Sequence, residues 1–468
     1  MAHGSMVRVP VNRTVLESRP LAWLAFLALG ACSVTLLSGG AVALTYTDYE
    51  AILRSYGLTL QHLRPIHETF AFAWVFLGGV TIVYFYLCRT FGAASPWLKR
   101  RIIWQNTLWT VAGVGIFVTL MSGWFTGREY LGYHPIFSLL ILIGWLLFAW
   151  NYFKQIGSSP QKRPVYIYMW SIAIALFVIS YLEGHLYLFD FVSRRPVRDI
   201  AIQWKSNGVL VGSFNQLAYG VLMFLTGCIR GNDDYAYSRT AFALFCIGLL
   251  NTFTNYGHHT YHLPQSYLIH WISFVVSMLE MIILAKVFLD LLALRRTVVA
   301  SQDLRVPDLF VRSATIWTFF LLLLALLIAI PPLNALIHGT HVVVAHSMGS
   351  MIGINSMILW AALAYLVHNL VGPAHPAMKG THVLVAVILV NLFFFTFLLS
   401  YIARGVAAAS VRYVGPSALD MSLIIKSFPT VMVISGTGLA AAILWILTPW
   451  MIYLWSVTRA TRLPFPKE

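Results

Sequence analysis

The sequence predicts a polytopic α-helical membrane protein, and three observations support this. Of its 468 residues, 59% are hydrophobic and 10% are charged, whereas soluble domains carry about 25% charged residues. The mean hydropathy is +0.76. Apolar runs near the roughly 20 residues needed to cross a bilayer recur along the chain. Soluble enzymes, disordered chains and collagen-like repeats are therefore excluded, and the runs are too long for the alternating strands of a membrane barrel.

The apolar runs predict twelve transmembrane helices in a single bundle domain over residues 1–468, with residues 1–19 and 457–468 as tails. The predicted spans are 20–44, 66–88, 102–124, 134–154, 165–190, 203–228, 237–262, 266–293, 311–335, 341–370, 380–403 and 428–456. The connections alternate between sets rich in Lys and Arg and sets with fewer cations. The positive-inside rule then places both termini in the cytoplasm. The expected location is the cytoplasmic membrane of a bacterium or archaeon. The net charge of +15 thus reflects topology in the lipid bilayer and not nucleic-acid binding.

Histidines gather at the outer ends of the predicted spans, where ionisable residues are functional candidates. A single histidine in a span most often makes a helix–helix hydrogen bond, but a convergent set favours haem or metal binding. The alternating topology places these on one membrane face: His67, His185, His258, His259, His262, His338, His341 and His346.

Two of these segments have ligand-like spacing. In HGTHVVVAHSMGSMIG, His346 and Met348 point about 200° apart on a helix, so one helix offers an axial ligand to each of two haems. In TNYGHHTYHLP, adjacent His258 and His259 point about 100° apart, which suits two ligands of one metal. The alternative for the second segment is a hydrogen-bonded cluster.

Four motifs in order carry a resemblance to a known family. They are RPIH before the second span, GREYL after the third, GHHTYHLP followed by SMLE in the seventh and eighth, and HGTHVVVAHSM in the tenth. Over nearly its whole length the chain resembles the catalytic subunit of the haem–copper oxidase superfamily, and most resembles the bacterial nitric oxide reductase large subunit.

This resemblance implies a low-spin haem b that passes electrons to a high-spin haem b3 facing a non-haem metal. His346 resembles the proximal ligand of the high-spin haem, and His67 an axial ligand of the low-spin haem. His258 and His259 resemble ligands of the non-haem iron.

The same resemblance assigns further residues. Glu129 in GREYL resembles the acid that helps to hold a calcium ion bridging haem propionates. Glu280 resembles a catalytic acid near the binuclear site, and a carboxyl group within a span needs a polar partner or a cavity in any case. Arg64 of RPIH and His338 of HGTH are expected among the haem-binding residues.

The chain departs from the family pattern at the low-spin haem. The family has a second histidine two positions after the high-spin ligand, and here that residue is Met348. Ligation by His67 and Met348 would raise the reduction potential relative to two histidines. The alternative is that Met348 packs as an ordinary apolar side chain.

A second departure removes a metal ligand. The family supplies a third metal histidine and a glutamate from the sixth span. An ungapped comparison places the histidine at Gly208, or at Asn207 with a one-residue shift, and the glutamate at Gly212. Asn207 or His185 is then the candidate third ligand, with His185 as a haem-propionate or water partner in the alternative. Histidine–carboxylate ligand sets suit iron better than copper.

The fifth span ends in YLEGHLYLFDF, which carries unusual charge for a span. Glu183 and Asp190 are seven residues apart and are predicted to share one helix face.

Lys286 and Asp290 of the eighth span are predicted to form an interfacial ion pair. Because the inner half of the bundle has few other polar residues, we expect no proton pumping.

The most favoured activity is reduction of nitric oxide to nitrous oxide. The alternatives are an oxygen reductase, a nitric oxide dismutase, and an electron-relay or gas-sensing haem protein without a second metal. An oxygen reductase of this superfamily needs a tyrosine beside copper; Tyr237 is one candidate, although it equally fits an interfacial aromatic residue.

An external electron donor is also expected. The cysteines show no C-x-x-C-H spacing, so no c-type haem is attached to this chain. The resemblance implies a small membrane-anchored cytochrome c or cupredoxin-type subunit on the outer face, with direct quinol donation as the alternative.

Overall fold

The computed structural model describes most of the chain, and this part contains helices and no strand. The described residues are 19–92, 95–157, 163–202, 204–261, 263–297, 304–371, 381–413 and 421–459. Most of both predicted tails, and His262, lie outside them.

Twelve longer helices follow the order of the predicted spans. They are α1 (Arg19–Leu44), α2 (Leu60–Phe91), α3 (Pro96–Met121), α4 (Pro135–Ile156), α5 (Val165–Gly184), α6 (Gln216–Arg230), α7 (Arg239–Thr254), α8 (Tyr267–Thr297), α9 (Arg305–Ala329), α10, α11 (Thr381–Tyr413) and α12 (Ser422–Arg459). Helix α10 is composed of His341–Met348, a π-helical stretch Gly349–Ser356, and Met357–Val371. Another π-helical stretch, Trp204–Asn215, leads into α6.

Ten of the described helices are long and apolar enough to cross a membrane. The predicted spans 203–228 and 237–262 are not among them. The first is divided between the π-helical stretch and α6, and the second contains α7, whose 16 residues rise about 24 Å and fall short of the roughly 30 Å hydrocarbon core. The chain is a multi-pass helical membrane protein, and the number twelve stays a prediction.

The helices form two compact units. Among the described residues, the terminal unit takes in those between 19 and 160, between 362 and 397 and between 427 and 459, and the central unit takes in those between 161 and 361 and between 398 and 426.

A buried polar network ties the terminal unit together. The Tyr84 hydroxyl of α2 donates to Gln105 Oε1 of α3 at 2.7 Å and accepts from Asn151 Nδ2 of α4 at 2.9 Å. Arg101 Nε donates to Asn151 Oδ1 at 2.7 Å. Helices in lipid gain little from apolar burial against one another, so such polar contacts help to fix their register.

In the central unit, α5 runs antiparallel to the π-helical stretch and α6. Ser213 Oγ donates to the Ala173 carbonyl at 2.8 Å, and Trp170 Nε1 donates to the Leu217 carbonyl at 3.3 Å. A Cβ atom on Gly220 would lie 2.4 Å from Trp170 Nε1, so only glycine allows this approach. Small residues at such contacts let membrane helices pack closely.

The end of α5 differs from the prediction. Helix α5 ends at Gly184, a 3-10 turn covers Leu186–Leu188, and Asp190 begins a separate short helix, Asp190–Ser193. The prediction that Glu183 and Asp190 share one helix face is therefore wrong, because the helical period is interrupted between them. The predicted ion pair between Lys286 and Asp290 is present on α8.

Candidate functional site

His67 is held in one orientation by α1. Its Nδ1 lies 2.9 Å from the Thr35 carbonyl oxygen, which can only accept, so Nδ1 carries the proton and Nε2 keeps its lone pair. A Cβ atom on Gly39 would lie 2.8 Å from both Cε1 and Nδ1 of the ring. Glycine therefore makes room for the imidazole, and a backbone carbonyl bonded to Nδ1 is the usual support of a metal-ligating histidine.

One turn before His67, Arg64 pairs with two carboxylates. Its Nε lies 2.6 Å from Glu68 Oε1 in the same helix, and its Nη2 lies 3.7 Å from Glu129 Oε1. Glu129 is held in a closed loop in which the Thr126 N–H donates to the Gly132 carbonyl at 2.7 Å. The adjacent Tyr130 has φ of +62°, and burial raises the pKa of its phenol. The structure thus brings Arg64 and Glu129 together.

His346 and Met348 lie in the first part of α10, directly before its π-helical stretch. The buried Nδ1 of His346 has no hydrogen-bond partner among the described residues. Gly349 packs against α9, since its Cβ would lie 2.2 Å from Leu321 Cδ2. π-helical turns inside α-helices are frequent at functional sites, and here the turn follows both predicted axial ligands.

His338 and His341 lie at the entrance to α10. His338 follows the short helix Pro331–Ile337, where its N–H donates to the Asn334 carbonyl at 2.7 Å and its carbonyl accepts from Arg412 at 3.5 Å. The His341 ring packs on Tyr401 of α11, with ring centroids 5.7 Å apart.

His258 and His259 end a short helix, Tyr256–His259, that follows α7. The amide of Gln265 fixes this segment, donating to the Gly257 and Thr260 carbonyls, each at 3.1 Å, and to Thr260 Oγ1 at 2.7 Å. A Cβ atom on Gly257 would lie 2.2 Å from Ser273 Oγ of α8. The backbone that carries both histidines is therefore tightly fixed against α8.

A line of polar contacts joins α7 and α8 below that segment. Ser273 Oγ donates to the Thr254 carbonyl, Ser277 Oγ donates to Asn255 Oδ1 at 2.8 Å, and Asn251 Nδ2 donates to Glu280 Oε2. We call this line the α7–α8 polar seam. It extends from the histidine-bearing segment to the buried carboxyl group of Glu280.

Glu280 is 8% exposed and lies among further polar side chains. Gln216 of α6 shares its surroundings, because a Cβ atom on Gly248 would lie 2.5 Å from Gln216 Nε2 and 3.6 Å from Glu280 Oε1. The buried oxygens Gln216 Oε1 and Asn251 Oδ1 have no donor within the described part of the chain. Tyr219 is close enough to Glu280 to interact with it electrostatically.

The position of the absent third histidine is closed by α5. A Cβ atom on Gly208 would lie 2.0 Å from Ser180 Oγ and 2.5 Å from Ser180 Cβ. A histidine at Gly208 is therefore excluded on this backbone. Asn207, the neighbouring candidate, belongs to the π-helical stretch Trp204–Asn215.

His185 lies at the end of α5, and its ring is oriented like that of a ligand. Its Nδ1 lies 2.6 Å from the Tyr181 carbonyl oxygen, which again makes Nδ1 the donor and leaves Nε2 unprotonated. This buried Nε2 has no hydrogen-bond partner among the residues that the structure describes.

The structure brings Arg64 and Glu129 into contact. His67 belongs to the terminal unit, and His346, Met348 and Glu280 belong to the central unit. Among the side chains that the structure describes, no three histidine, cysteine or acidic residues converge on one point.

Comparison with known proteins identifies the family. Residues 19–439 match the family described as cytochrome c and quinol oxidase polypeptide I. The chain belongs to this family. It is thus a multi-pass membrane oxidoreductase of the haem–copper oxidase superfamily, whose members bind haems and a second metal.

A solved structure supports the same fold. The chain is similar to a haem–copper terminal oxidase dimer determined by cryo-electron microscopy, with a TM-score of 0.67 and 13% identity. The match covers 96% of this chain and 84% of the other. No curated protein matches the sequence.

The residues present fit the haems of this superfamily. His67 offers an unprotonated nitrogen on a ring fixed by Thr35 and Gly39, and the buried Nδ1 of His346 has no partner among the described residues, as expected of an imidazole that binds another group.

Sequence reasoning predicted Glu280 but missed Asn251 and the other residues of the polar seam. The signal was present as polar residues at helical spacing within apolar spans: Asn251 and Asn255 in one, and Ser273, Ser277 and Glu280 in the next. What the sequence did not give was their mutual register.

Proposed function

We propose that the chain is the catalytic subunit of a membrane nitric oxide reductase, which converts two NO molecules, two electrons and two protons into N2O and water. The observation that carries this proposal is the closed packing of Gly208 on Ser180. It leaves no room for a histidine there, so the donors beside His258 and His259 come from another position, for which Asn207 and His185 are the candidates. With Asn207 the donor set combines histidine nitrogens and an amide oxygen. Mixed histidine and oxygen donors suit iron better than copper.

In this proposal, specific residues would hold the two haems, the non-haem iron and a calcium ion. His67 and Met348 would bind the low-spin haem b, His346 the high-spin haem b3, and His258 and His259 the non-haem iron. His185 or Asn207 would complete the iron site. Arg64 and His338 would contact haem, while Glu129 beside Arg64 would help to hold calcium. Bound haem and iron supply electron transfer and the surface on which NO is reduced.

The chain itself holds and moves the proton. Glu280 is buried and accepts a hydrogen bond from Asn251. In this proposal its protonated form donates to one of the two buried oxygens, Gln216 Oε1 and Asn251 Oδ1, that have no donor among the described residues. The polar seam through Ser277 and Asn255 then links this carboxyl group to the segment that carries His258 and His259. Glu280 is the general acid in this proposal.

Metal counting with turnover measurements tests the proposal. We expect about two haems and one non-haem iron per chain, and N2O from NO with an artificial electron donor. Two haems without further metal would indicate an electron relay or gas sensor, and N2 with O2 from NO would indicate a dismutase.

A second candidate, oxygen reduction, is favoured by Tyr219. This phenol is buried beside Glu280, and a tyrosine near the second metal is what an oxygen reductase of this superfamily needs. One copper per chain, with O2 uptake abolished in Tyr219→Phe and no N2O formation, would establish it over nitric oxide reduction.

The proposal includes an electron donor and a location. We expect a small membrane-anchored cytochrome c or cupredoxin-type subunit on the outer face of a bacterial or archaeal cytoplasmic membrane, or else quinol. Both termini would be cytoplasmic. Co-purification of a c-type haem or copper subunit would identify the donor, and turnover with quinol alone would replace it.

A further inference from the structure

A groove of about 570 Å³ opens in the terminal unit between the ends of three helices. It lies between the start of α1, the start of α3 and the end of α12, and none of the residues discussed as haem or metal ligands lines it. Its location at helix ends places it at the level where a membrane-spanning helix leaves the hydrocarbon core.

The charge of the groove selects an anion. Arg19 and Lys99 line it, and none of its nine described lining residues is acidic. Lys99 lies in the first turn of α3, whose N-terminal end is marked by the bond from the Leu98 N–H to Ser95 Oγ at 3.3 Å. The partial positive charge of a helix N-terminus adds to that of the two side chains. A quinol is disfavoured, because no lining residue is an acid or histidine able to take up its protons.

The remaining wall is aromatic and apolar. The rings of Trp23 and Trp455 lie 5.8 Å apart, and Arg459 stacks on Trp455 at 4.2 Å. Tryptophan is enriched at the boundary between headgroups and acyl chains. Ile103, one turn beyond Lys99, is 52% exposed and continues the apolar surface into the membrane.

One of the lining residues, Asn106, carries a buried acceptor. Asn106 is 3% exposed, and its Nδ2 donates to the Pro20 carbonyl at 2.7 Å. Its Oδ1 is buried and has no donor within the described residues. A ligand with a hydroxyl group as well as a negative charge satisfies both features of the groove.

We propose that this groove binds an anionic phospholipid of the phosphatidylglycerol type. Arg19 and Lys99 contact the phosphodiester, Asn106 Oδ1 accepts from the headgroup hydroxyl, and an acyl chain runs along Ile103. Basic pockets between membrane helices recognise anionic lipids by the same chemistry. On the expected topology this end of the helices faces the cytoplasm.

The test compares lipid binding by the purified, delipidated holoenzyme in detergent, measured by native mass spectrometry. The probes are short-chain phosphatidylglycerol, short-chain phosphatidylcholine and sodium phosphate. We expect one phosphatidylglycerol per chain, bound more tightly than phosphatidylcholine and not displaced by phosphate. The double variant R19Q/K99Q should bind phosphatidylglycerol about thirty-fold more weakly, or about 2 kcal/mol at 1.4 kcal/mol per tenfold.

The matched control is the double variant R54Q/R194Q. It removes the same charge from side chains that are 69% and 77% exposed, each paired with an acid on its own helix, and it should bind the lipid as the wild type does. Equal weakening in both double variants, equal binding of the two lipids, or displacement by phosphate at similar concentration would each overturn the proposal. The last outcome would make the groove a site for a free anion.

Discussion

Replacement of Gly39 by alanine tests whether His67 is an axial haem ligand held by α1. The new Cβ atom would lie 2.8 Å from Cε1 and Nδ1 of the imidazole, whereas ordinary contact begins at 3.4 Å, so the ring must move by about 0.6 Å. Movement of this size along the bond lengthens the 2.9 Å contact from Nδ1 to the Thr35 carbonyl to about 3.5 Å, beyond hydrogen-bonding range. We therefore expect His67 to lose its orientation.

The next residue supplies the control. Among the described residues, a Cβ atom on Gly40 would meet Thr437 Cγ2 alone, at 3.8 Å. Both variants gain the same helix propensity. The difference between their free energies of unfolding therefore measures the clash with His67, which we expect to cost about 1–3 kcal/mol as overpacking.

The assay combines absorption and electron paramagnetic resonance spectra of the low-spin haem with haem content and thermal unfolding. Gly39→Ala should weaken or shift the low-spin signal and lower the unfolding temperature relative to Gly40→Ala. Identical low-spin spectra and haem content in the two variants would refute the assignment of His67.

Three further predictions concern the central unit. Met348→His should lower the reduction potential of the low-spin haem, because a histidine ligand stabilises oxidised iron more than methionine does. It should also abolish the absorption band of the thioether–iron bond. An unchanged spectrum would show that Met348 is not a ligand. Glu280→Gln keeps an acceptor for Asn251, so it should fold normally but lose turnover, and full activity would exclude Glu280 as the acid. Asn251→Leu leaves a buried carboxyl group without its donor. It should therefore lower the free energy of unfolding by about 1–3 kcal/mol, measured by thermal denaturation. Gly208→Ala should destabilise the protein by about 1–3 kcal/mol through overpacking. Gly30→Ala should not, because a Cβ atom there has no atom of the described residues within 4 Å. Equal unfolding temperatures of the two variants would contradict the closed packing of Gly208 on α5.

Some features of the ligand sites depend on spacing within one helix, and others depend on contacts between helices. The spacing of His346 and Met348 is a property of one helix, so the sequence was sufficient to propose them as ligands on opposite sides. The absence of a histidine in the sixth span was also visible. That Gly208 packs against Ser180 was not, because the contact joins two different spans and depends on the rotation and depth of one against the other, which the pattern within each span does not fix.

The sequence by itself determined the membrane class, the family resemblance and the approximate position of most helices. A chain in lipid must satisfy its backbone hydrogen bonds within each span, so long apolar runs leave helix as the available structure. Tertiary structure decided that Asn251 meets Glu280, that Thr35 and Gly39 fix His67, and that α5 ends at Gly184. These features depend on the rotation and depth of neighbouring helices in the membrane. Apolar burial in lipid does not favour one rotation over another, so small residues and single polar pairs determine it.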